Sequence, residues 1–239
     1  AMKKHFPHPP AQRQYGFSLM ELSLVLVVIG LIIGSVAIGR DLQRNASYQR
    51  LSTDFVQGWV LAYDAYLNGT GRPPRDSATD PSGRVNNGTN ELCGTNLLNA
   101  FLAVGVRLPE GRAEGSNDRY AYLDSNGNPQ EVQVCFQNVP WAEPGATVGA
   151  YDNRPRNVMV LKNLTFALAG FLDQQIDGKV DARFGRMRES GKADVTTSAA
   201  IPAAQAWSKD ERMAIGSTTV TARDEDQVAV MNAYVQMTR

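Results

Sequence analysis

Residues 17–38 form an almost uninterrupted apolar run in which Glu21 is the single charged side chain. At 1.5 Å per residue this run would form a helix of about 33 Å, which is enough to cross the hydrocarbon core of a bilayer. Soluble helices of that length normally carry a polar face. The pattern therefore predicts a membrane-spanning helix, and a uniformly buried core helix is the alternative.

Beyond this run the chain becomes amphipathic. Apolar and aromatic positions recur every three or four residues, which is the period of a helix with one buried face. The stripe consists of Tyr48, Leu51, Phe55, Trp59, Ala62 and Tyr66. Asn68-Gly69 is a stop signal. The spacing predicts that the helix continues over residues 40–67 and that the stripe packs in a domain core.

The remaining residues predict an α+β domain. Residues 69–90 are typical of a long surface loop, and two runs at 120–123 and 131–136 are expected to pair as strands across a turn at 124–129. A further strand is expected at 158–161 and two more within 218–237. Short helices are expected at 96–104, with Leu97, Leu98, Phe101 and Leu102 buried, and at 163–176.

Charge and histidine content limit the classes of function. Lysine plus arginine and aspartate plus glutamate both number 24, so electrostatics give no argument for nucleic-acid binding. The two histidines, His5 and His8, precede the apolar run in a polar stretch that resembles a leader. The sequence contains no Gly-x-Ser-x-Gly elbow and no phosphate-binding glycine loop. We therefore predict that the protein is not an enzyme.

Glu21 requires an explanation, because a carboxylate in a membrane helix costs about 2.5–3.5 kcal/mol on insertion scales. Cleavage between Gly16 and Phe17 would create an amino group about one helical turn before it. Within its own chain the carboxylate would favour the positive end of the helix dipole. Between chains it could pair with the amine of a neighbour, which would offset the desolvation of both groups.

The order Gly16-Phe17-Ser18-Leu19-Met20-Glu21, followed by an apolar run, resembles the prepilin peptidase motif of type IV pilins and type II secretion pseudopilins. The resemblance implies cleavage after Gly16 on the cytoplasmic side and N-methylation of Phe17. It also implies that Glu21 sets the register of subunits in a filament. Major pilins often have a proline near the position of Ile38, so its absence favours a minor pilin or a pseudopilin.

The same resemblance implies a pilin-like fold, in which a long N-terminal α-helix packs on an antiparallel sheet. The expected parts are a leader at 1–16, a transmembrane half-helix at 17–39, an amphipathic half-helix at 40–67 and a globular domain at 68–239. The implied partners are other pilin-like subunits, prepilin peptidase, an inner-membrane assembly platform and the membrane. The precursor would span the bacterial inner membrane once, with a periplasmic domain, before entering a pilus or pseudopilus.

Two other interpretations remain open. Ser35-Val36-Ala37 would serve as the cleavage site of an ordinary secretory signal peptide, although Glu21 at the border of the apolar core argues against it. The chain could also be a membrane-anchored or secreted calcium-dependent binding protein whose start imitates a prepilin. Sequencing the mature N-terminus distinguishes them.

Cys93 and Cys135 are the two cysteines of the chain. In an exported protein such a pair predicts one disulfide, and two buried thiols are the alternative.

Two groups of oxygen-bearing side chains are weak calcium candidates, and no other cofactor is expected. Asp124, Asn126 and Asn128 alternate as in a calcium loop, but a plain hairpin turn explains them better. Asp173, Asp177 and Asp181 are four residues apart, which predicts a solvated helix face. Calcium stays an alternative for them because some pseudopilins bind it. Residues 176–181 also resemble a segment of prepilin-like proteins, for which the sequence suggests no role.

Overall fold

The structure is a computed structural model, and it describes residues 18–113, 116–196, 205–220 and 226–238, without the side chains at 36–41. The predicted cleavage and methylation positions, Gly16 and Phe17, lie outside these residues. The chain divides into two compact units, and the boundary lies between Arg44 and Asn45. The first helix, α1 (Leu19–Arg50), begins in the first unit and ends in the second.

The first unit exposes apolar side chains along α1. Leu19 is 88% exposed and Leu31 is 67% exposed, and the apolar residues between them are also open to solvent. In the described part of the chain, we find no helix that combines the length and the apolar character needed to cross a membrane.

The second unit continues in helical conformation with a π-helical segment at Leu51–Val56 and helix α2 at Gln57–Thr70. Gly71 ends α2 in the left-handed conformation with φ of 71° and donates its N–H to the Leu67 carbonyl at 2.8 Å. Glycine is favoured there because it lacks a Cβ. The helix thus ends three residues later than predicted. The predicted stripe is confirmed, because its six members are all buried.

Among the described residues, one antiparallel sheet of five strands forms the other layer of this unit. The strands are β1 (Arg119–Leu123), β2 (Pro129–Pro144), β3 (Tyr151–Thr165), β4 (Met187–Glu189) and β5 (Val230–Gln236), in the order β1-β2-β3-β5-β4. The α+β class with an antiparallel sheet is therefore confirmed. The predicted hairpin is also confirmed, with Tyr120 opposite Val132.

Three details of the secondary-structure prediction are wrong. Helix α3 is Gly94–Leu102, and Leu102 is 56% exposed because it leaves the buried face defined by Leu97 and Phe101. Helix α4 is Phe166–Asp177; Leu164 instead extends β3, where it pairs with Met231. Within the described part of 218–237, β5 is the one strand of several residues, and Val220 and Val228 make isolated bridges.

The core lies between the helices and one face of the sheet and is centred on aromatic side chains. Trp59 of α2 meets Phe101 of α3 and Phe136 of β2 edge-on, at ring-centroid distances of 5.6 and 6.1 Å. Tyr63 stacks on Phe136 at 5.2 Å. The opposite face of the sheet carries a smaller apolar cluster around Trp141. The aromatic stripe therefore determines which face of α2 meets the sheet.

Candidate assembly site and the carboxylates of the globular domain

The first turn of α1 is closed by a reciprocal pair of hydrogen bonds. The backbone N–H of Ser18 donates to Oε2 of Glu21 at 2.9 Å, and the N–H of Glu21 donates to Oγ of Ser18 at 3.2 Å. This arrangement is a capping box, which satisfies two N–H groups that a helix start leaves without partners. The sequence interpretation of Glu21 missed it, although the Ser-x-x-Glu spacing was a readable signal.

The apolar surface of α1 carries two hydroxyl groups that are satisfied within the helix. Ser23 donates its Oγ–H to the Met20 carbonyl and Ser35 donates to the Leu31 carbonyl, both at 2.8 Å. Internal bonding of this kind lets a polar side chain enter an apolar environment at low cost. Beside Glu21, whose carboxylate already has a partner, the stretch of α1 from Leu19 to Ser35 therefore presents little polar surface that needs water.

The predicted disulfide is confirmed. Cys93 immediately precedes α3, Cys135 lies in the middle of β2, and their Cα atoms are 4.6 Å apart. Backbone hydrogen bonds between Leu92 and Phe136, at 2.8 and 3.0 Å, hold the same two segments together. Carboxylate and sulfur atoms of Glu91, Cys93 and Cys135 approach within 4.8 Å in the described part of the chain, but the two sulfurs are bonded to each other. This group is therefore not available as a metal site.

The Asp124 turn has the structure of a hairpin connection. Oδ1 of Asp124 accepts the N–H groups of Asn126 and Asn128 at 3.0 and 2.8 Å. Oδ2 accepts the N–H of Val228 at 3.0 Å and the side-chain amide of Gln130 at 3.3 Å. The carboxylate thus fastens the β1–β2 turn to the segment before β5. The geometry agrees with the hairpin-turn interpretation of Asp124, Asn126 and Asn128.

The solvated helix face predicted for Asp173, Asp177 and Asp181 is wrong. Helix α4 ends at Asp177 because Gly178 turns left-handed with φ of 73°, so Asp181 leaves the helix. Asp173 is fully buried and Asp181 is 4% exposed. Four-residue spacing places side chains on one face only while the helix continues, and a glycine C-cap interrupts it here.

Each of these three carboxylates caps backbone N–H groups of the following loop. Oδ2 of Asp173 accepts from Asp181 N–H at 2.7 Å. Oδ1 and Oδ2 of Asp177 accept from Arg186 and Met187 at 3.0 and 2.9 Å, which orders the start of β4. Asp181 accepts from Arg183 at 2.9 Å, and also from the backbone of Phe184 and Gln205. The segment at 176–181 therefore acquires a role, which is to cap the loop between α4 and β4.

Two ionisable side chains of this region, Asp173 and Arg188, are buried, and the structure accommodates them in different ways. Burial, together with the neighbouring Asp177, raises the pKa of Asp173 to about 7, although the Asp181 N–H and the Trp207 indole act to lower it. Burial also lowers the pKa of Arg188 to about 10. The Arg188 guanidinium lies over the Trp141 ring at 4.1 Å and donates to the carbonyl groups of Ala142 at 2.8 Å and Gly185 at 3.0 Å. Arg188 is thereby fully engaged, whereas Asp173 retains an unsatisfied oxygen.

Comparisons of the chain with profiles of known protein families, with curated proteins and with solved structures found no match.

Proposed function

We propose that the chain is the precursor of a minor-pilin-like structural subunit of a type IV pilus or related filament. In this proposal prepilin peptidase removes residues 1–16 and Phe17 is N-methylated. The subunit then assembles through its N-terminal helix. The single observation that carries the proposal is the motif at 16–21 directly before the apolar run. A non-enzymatic role, the bacterial inner membrane and the implied assembly partners are parts of the same proposal.

The exposure of α1 supports this assembly route. Apolar side chains from Leu19 onward are open to solvent, and the apolar sequence continues to Ile38, past the last described side chain of that run. A surface of this kind is stable only when lipid or another apolar surface covers it. A membrane provides the cover before assembly, and the helices of other subunits provide it in a filament.

The capping box defines how Glu21 could serve both states. A carboxylate can accept several hydrogen bonds, so the bond from Ser18 N–H leaves acceptor capacity for an amine. In the precursor the helix start satisfies the charge. After cleavage the amine of Phe17 on an adjoining subunit would pair with it, and this pairing would be strong because the surroundings are apolar. Subunit register would then be specified by a contact that exists only after processing.

The second unit supplies the outward-facing domain of the proposed subunit. Its disulfide agrees with a compartment outside the cytoplasm, where such bonds persist. A type II secretion pseudopilin shares all these features and is the second candidate. The isoleucine at position 38, where major pilins often carry proline, favours a minor pilin or a pseudopilin over a major pilin. In the proposal the carboxylates of Asp124, Asp177 and Asp181 have a structural role, which is to cap backbone N–H groups.

Mass spectrometry of the N-terminus of protein isolated from filaments of the native host tests the proposal. We expect N-methylated Phe17 as the first residue. A start near residue 38 would support secretion by an ordinary signal peptide, and an uncut leader would support a simple anchor; either result contradicts the proposal. Gly16→Val should block processing, whereas Gln14→Ala, a matched change two residues earlier in the leader, should leave it intact.

A further inference from the structure

Asp173 is a fully buried carboxyl group with one oxygen satisfied and one not. Oδ2 accepts the Asp181 N–H at 2.7 Å, whereas Oδ1 has no hydrogen-bond partner among the described residues. The carboxyl of Asp177 and the indole N–H of Trp207 both interact with this side chain, although Trp207 Nε1 does not complete an aligned bond. An unsatisfied carboxylate oxygen in such a place is costly unless it carries a proton.

The neighbouring Asp177 determines which of the two acids holds that proton. Both oxygens of Asp177 accept backbone N–H groups, from Arg186 and Met187, and these bonds stabilise its ionised form. Two adjacent carboxylates, of which Asp173 is fully buried, repel each other strongly when both are charged. The proton therefore belongs on Oδ1 of Asp173, from which it can be donated to Asp177.

We propose that Asp173 is a proton-operated latch that holds the loop after α4, strand β4 and the segment around Trp207 in place. With the proton bound, Asp173 joins Asp177 by a hydrogen bond and keeps Asp181 capped. When the proton leaves, charge repulsion between Asp173 and Asp177 loosens the segments that cover them. Those segments are tied together by the Ala182 N–H, which donates to the Gln205 carbonyl at 2.8 Å.

The other charged groups of these segments have partners elsewhere. Lys179 lies 4.0 Å from Asp181. Arg183 donates to the Val195 carbonyl at 2.8 Å, and Arg188 donates to the carbonyl groups described above. Glu189 of β4 pairs with Lys192 at 3.0 Å and accepts from the backbone N–H of Ser208. Tyr48 of α1 contacts α4 through the ring of Phe171, at a centroid distance of 5.9 Å. Asp177 is the charged side chain whose repulsion acts on Asp173.

A proton fits this position better than a metal ion. The indole N–H of Trp207 lies near Asp173 and would repel a cation there, although the same N–H lowers the pKa of the carboxyl. In addition, Asp173, Asp177 and Asp181 do not bring three ligand atoms within 4.8 Å of one another in the described part of the chain.

The direction of the pH effect follows from linkage. The folded state keeps the proton to about pH 7, whereas a free aspartate loses it near the ordinary value of 3.8. The stabilisation is fully present below the unfolded pKa and is lost as the pH rises through about 7. Between pH 5 and pH 8 the equilibrium constant for folding should fall by roughly tenfold to a hundredfold from this group.

Asp173→Asn tests the latch in the full-length protein in detergent, because an amide resembles the protonated acid. Its oxygen can accept the Asp181 N–H and its NH₂ group can donate to Asp177. We expect this variant to match the wild type at pH 5 and to be more stable at pH 8, with the difference in pH dependence given above. Asp80→Asn, the same change on an exposed loop, should retain the wild-type pH dependence. Equal pH dependence in wild type and Asp173→Asn would overturn the proposal.

A direct titration keeps the test decisive if Asp173→Asn does not fold. Carbon-13 NMR of the aspartate carboxyl groups should show one midpoint near pH 7 in the wild type, and Asp177→Asn should move that midpoint down because the repulsive charge is gone. Protection of the Arg186 and Met187 amides from hydrogen exchange should weaken over the same pH range. A wild-type spectrum in which every aspartate titrates below pH 5 contradicts the latch.

Discussion

A Cβ atom on Gly185 would come closer to Oδ2 of Asp177 than any allowed contact distance. Gly185 also has φ of +92°, a conformation that side chains with a Cβ rarely adopt. The same Asp177 oxygen accepts the N–H of Met187, the first residue of β4. This glycine therefore leaves room for the carboxylate that caps the start of the edge strand.

We expect Gly185→Ala to destabilise the domain by about 1–3 kcal/mol from backbone strain alone, and by more if the Asp177 bonds are lost. Chemical denaturation at a fixed pH measures the change in the free energy of unfolding. Gly191→Ala is the matched control, because a Cβ there meets no atom within 4 Å. A change of less than 0.5 kcal/mol is expected for the control. Equal effects of the two substitutions would show that the contact is not important.

Substitutions at Glu21 separate its two possible roles. Glu21→Gln keeps an acceptor for the Ser18 N–H but removes the charge, whereas Glu21→Ala removes both. If pairing with an amine sets subunit register, both variants insert into membranes normally and both enter filaments poorly. Ser18→Ala, which removes one bond of the capping box, should then assemble nearly normally. The measurement is the ratio of filament-bound to membrane-bound subunit.

The opposite pattern at this site would change the conclusion. If Glu21→Gln assembles normally while Ser18→Ala and Glu21→Ala both fail, the carboxylate acts only as a helix cap. The charge would then have no part in assembly.

Trp59→Ala should destabilise the second unit by about 3–5 kcal/mol, because it empties the centre of the aromatic cluster. It also removes the hydrogen bond from Trp59 Nε1 to the Asn117 carbonyl at 3.2 Å. Leu61→Ala, two residues further along α2 and 68% exposed, should change the stability by less than about 0.5 kcal/mol. Thermal unfolding followed by near-ultraviolet circular dichroism compares the two. Similar losses would mean that the stripe does not face the core.

Removing the disulfide should destabilise the domain by about 4 kcal/mol in the chain-entropy model, since Cys93 and Cys135 are 42 residues apart. The Cys93→Ser/Cys135→Ser variant and the reduced wild type should lose similar stability in denaturant titrations. The effect of reductant should be absent from the double variant. If reductant destabilises both proteins equally, its effect does not come from this bond.

Much of the fold could be predicted from the sequence at the positions where a local residue pattern and the tertiary structure favour the same conformation. The stripe from Tyr48 to Tyr66 predicted the buried face of a helix, and the turn at 124–129 predicted the β1–β2 hairpin. Hairpins and amphipathic helices bury a face that is specified by the spacing of their own residues, so they can be predicted from one sequence. The two cysteines, together with the expectation of an exported protein, similarly predicted the disulfide, although its geometry came from the packing of α3 on β2.

The aspartates after α4 show why the rest could not be predicted. Regular spacing of Asp173, Asp177 and Asp181 indicated one exposed face, but Gly178 ended the helix and the first of them is fully buried. Glycine at a helix end is a local signal, but the cover over Asp173 is not. It comes from Trp207 and from the loop before β4, which are distant in sequence.

The sequence alone was enough to recognise the apolar N-terminal run and the motif at 16–21, and to predict the amphipathic stripe and the α+β class. Each of these depends on residues that are neighbours within a few helical turns. Strand order, the burial of Asp173, the fit of Gly185 against Asp177 and the contact of Arg188 with Trp141 emerged only from the folded domain. These features depend on which distant segments of the chain pack together, and hydrophobic burial favours such packing whatever the separation in sequence. The protonation state and the hydrogen-bond partners of each buried charged group are then determined by the segments that surround it.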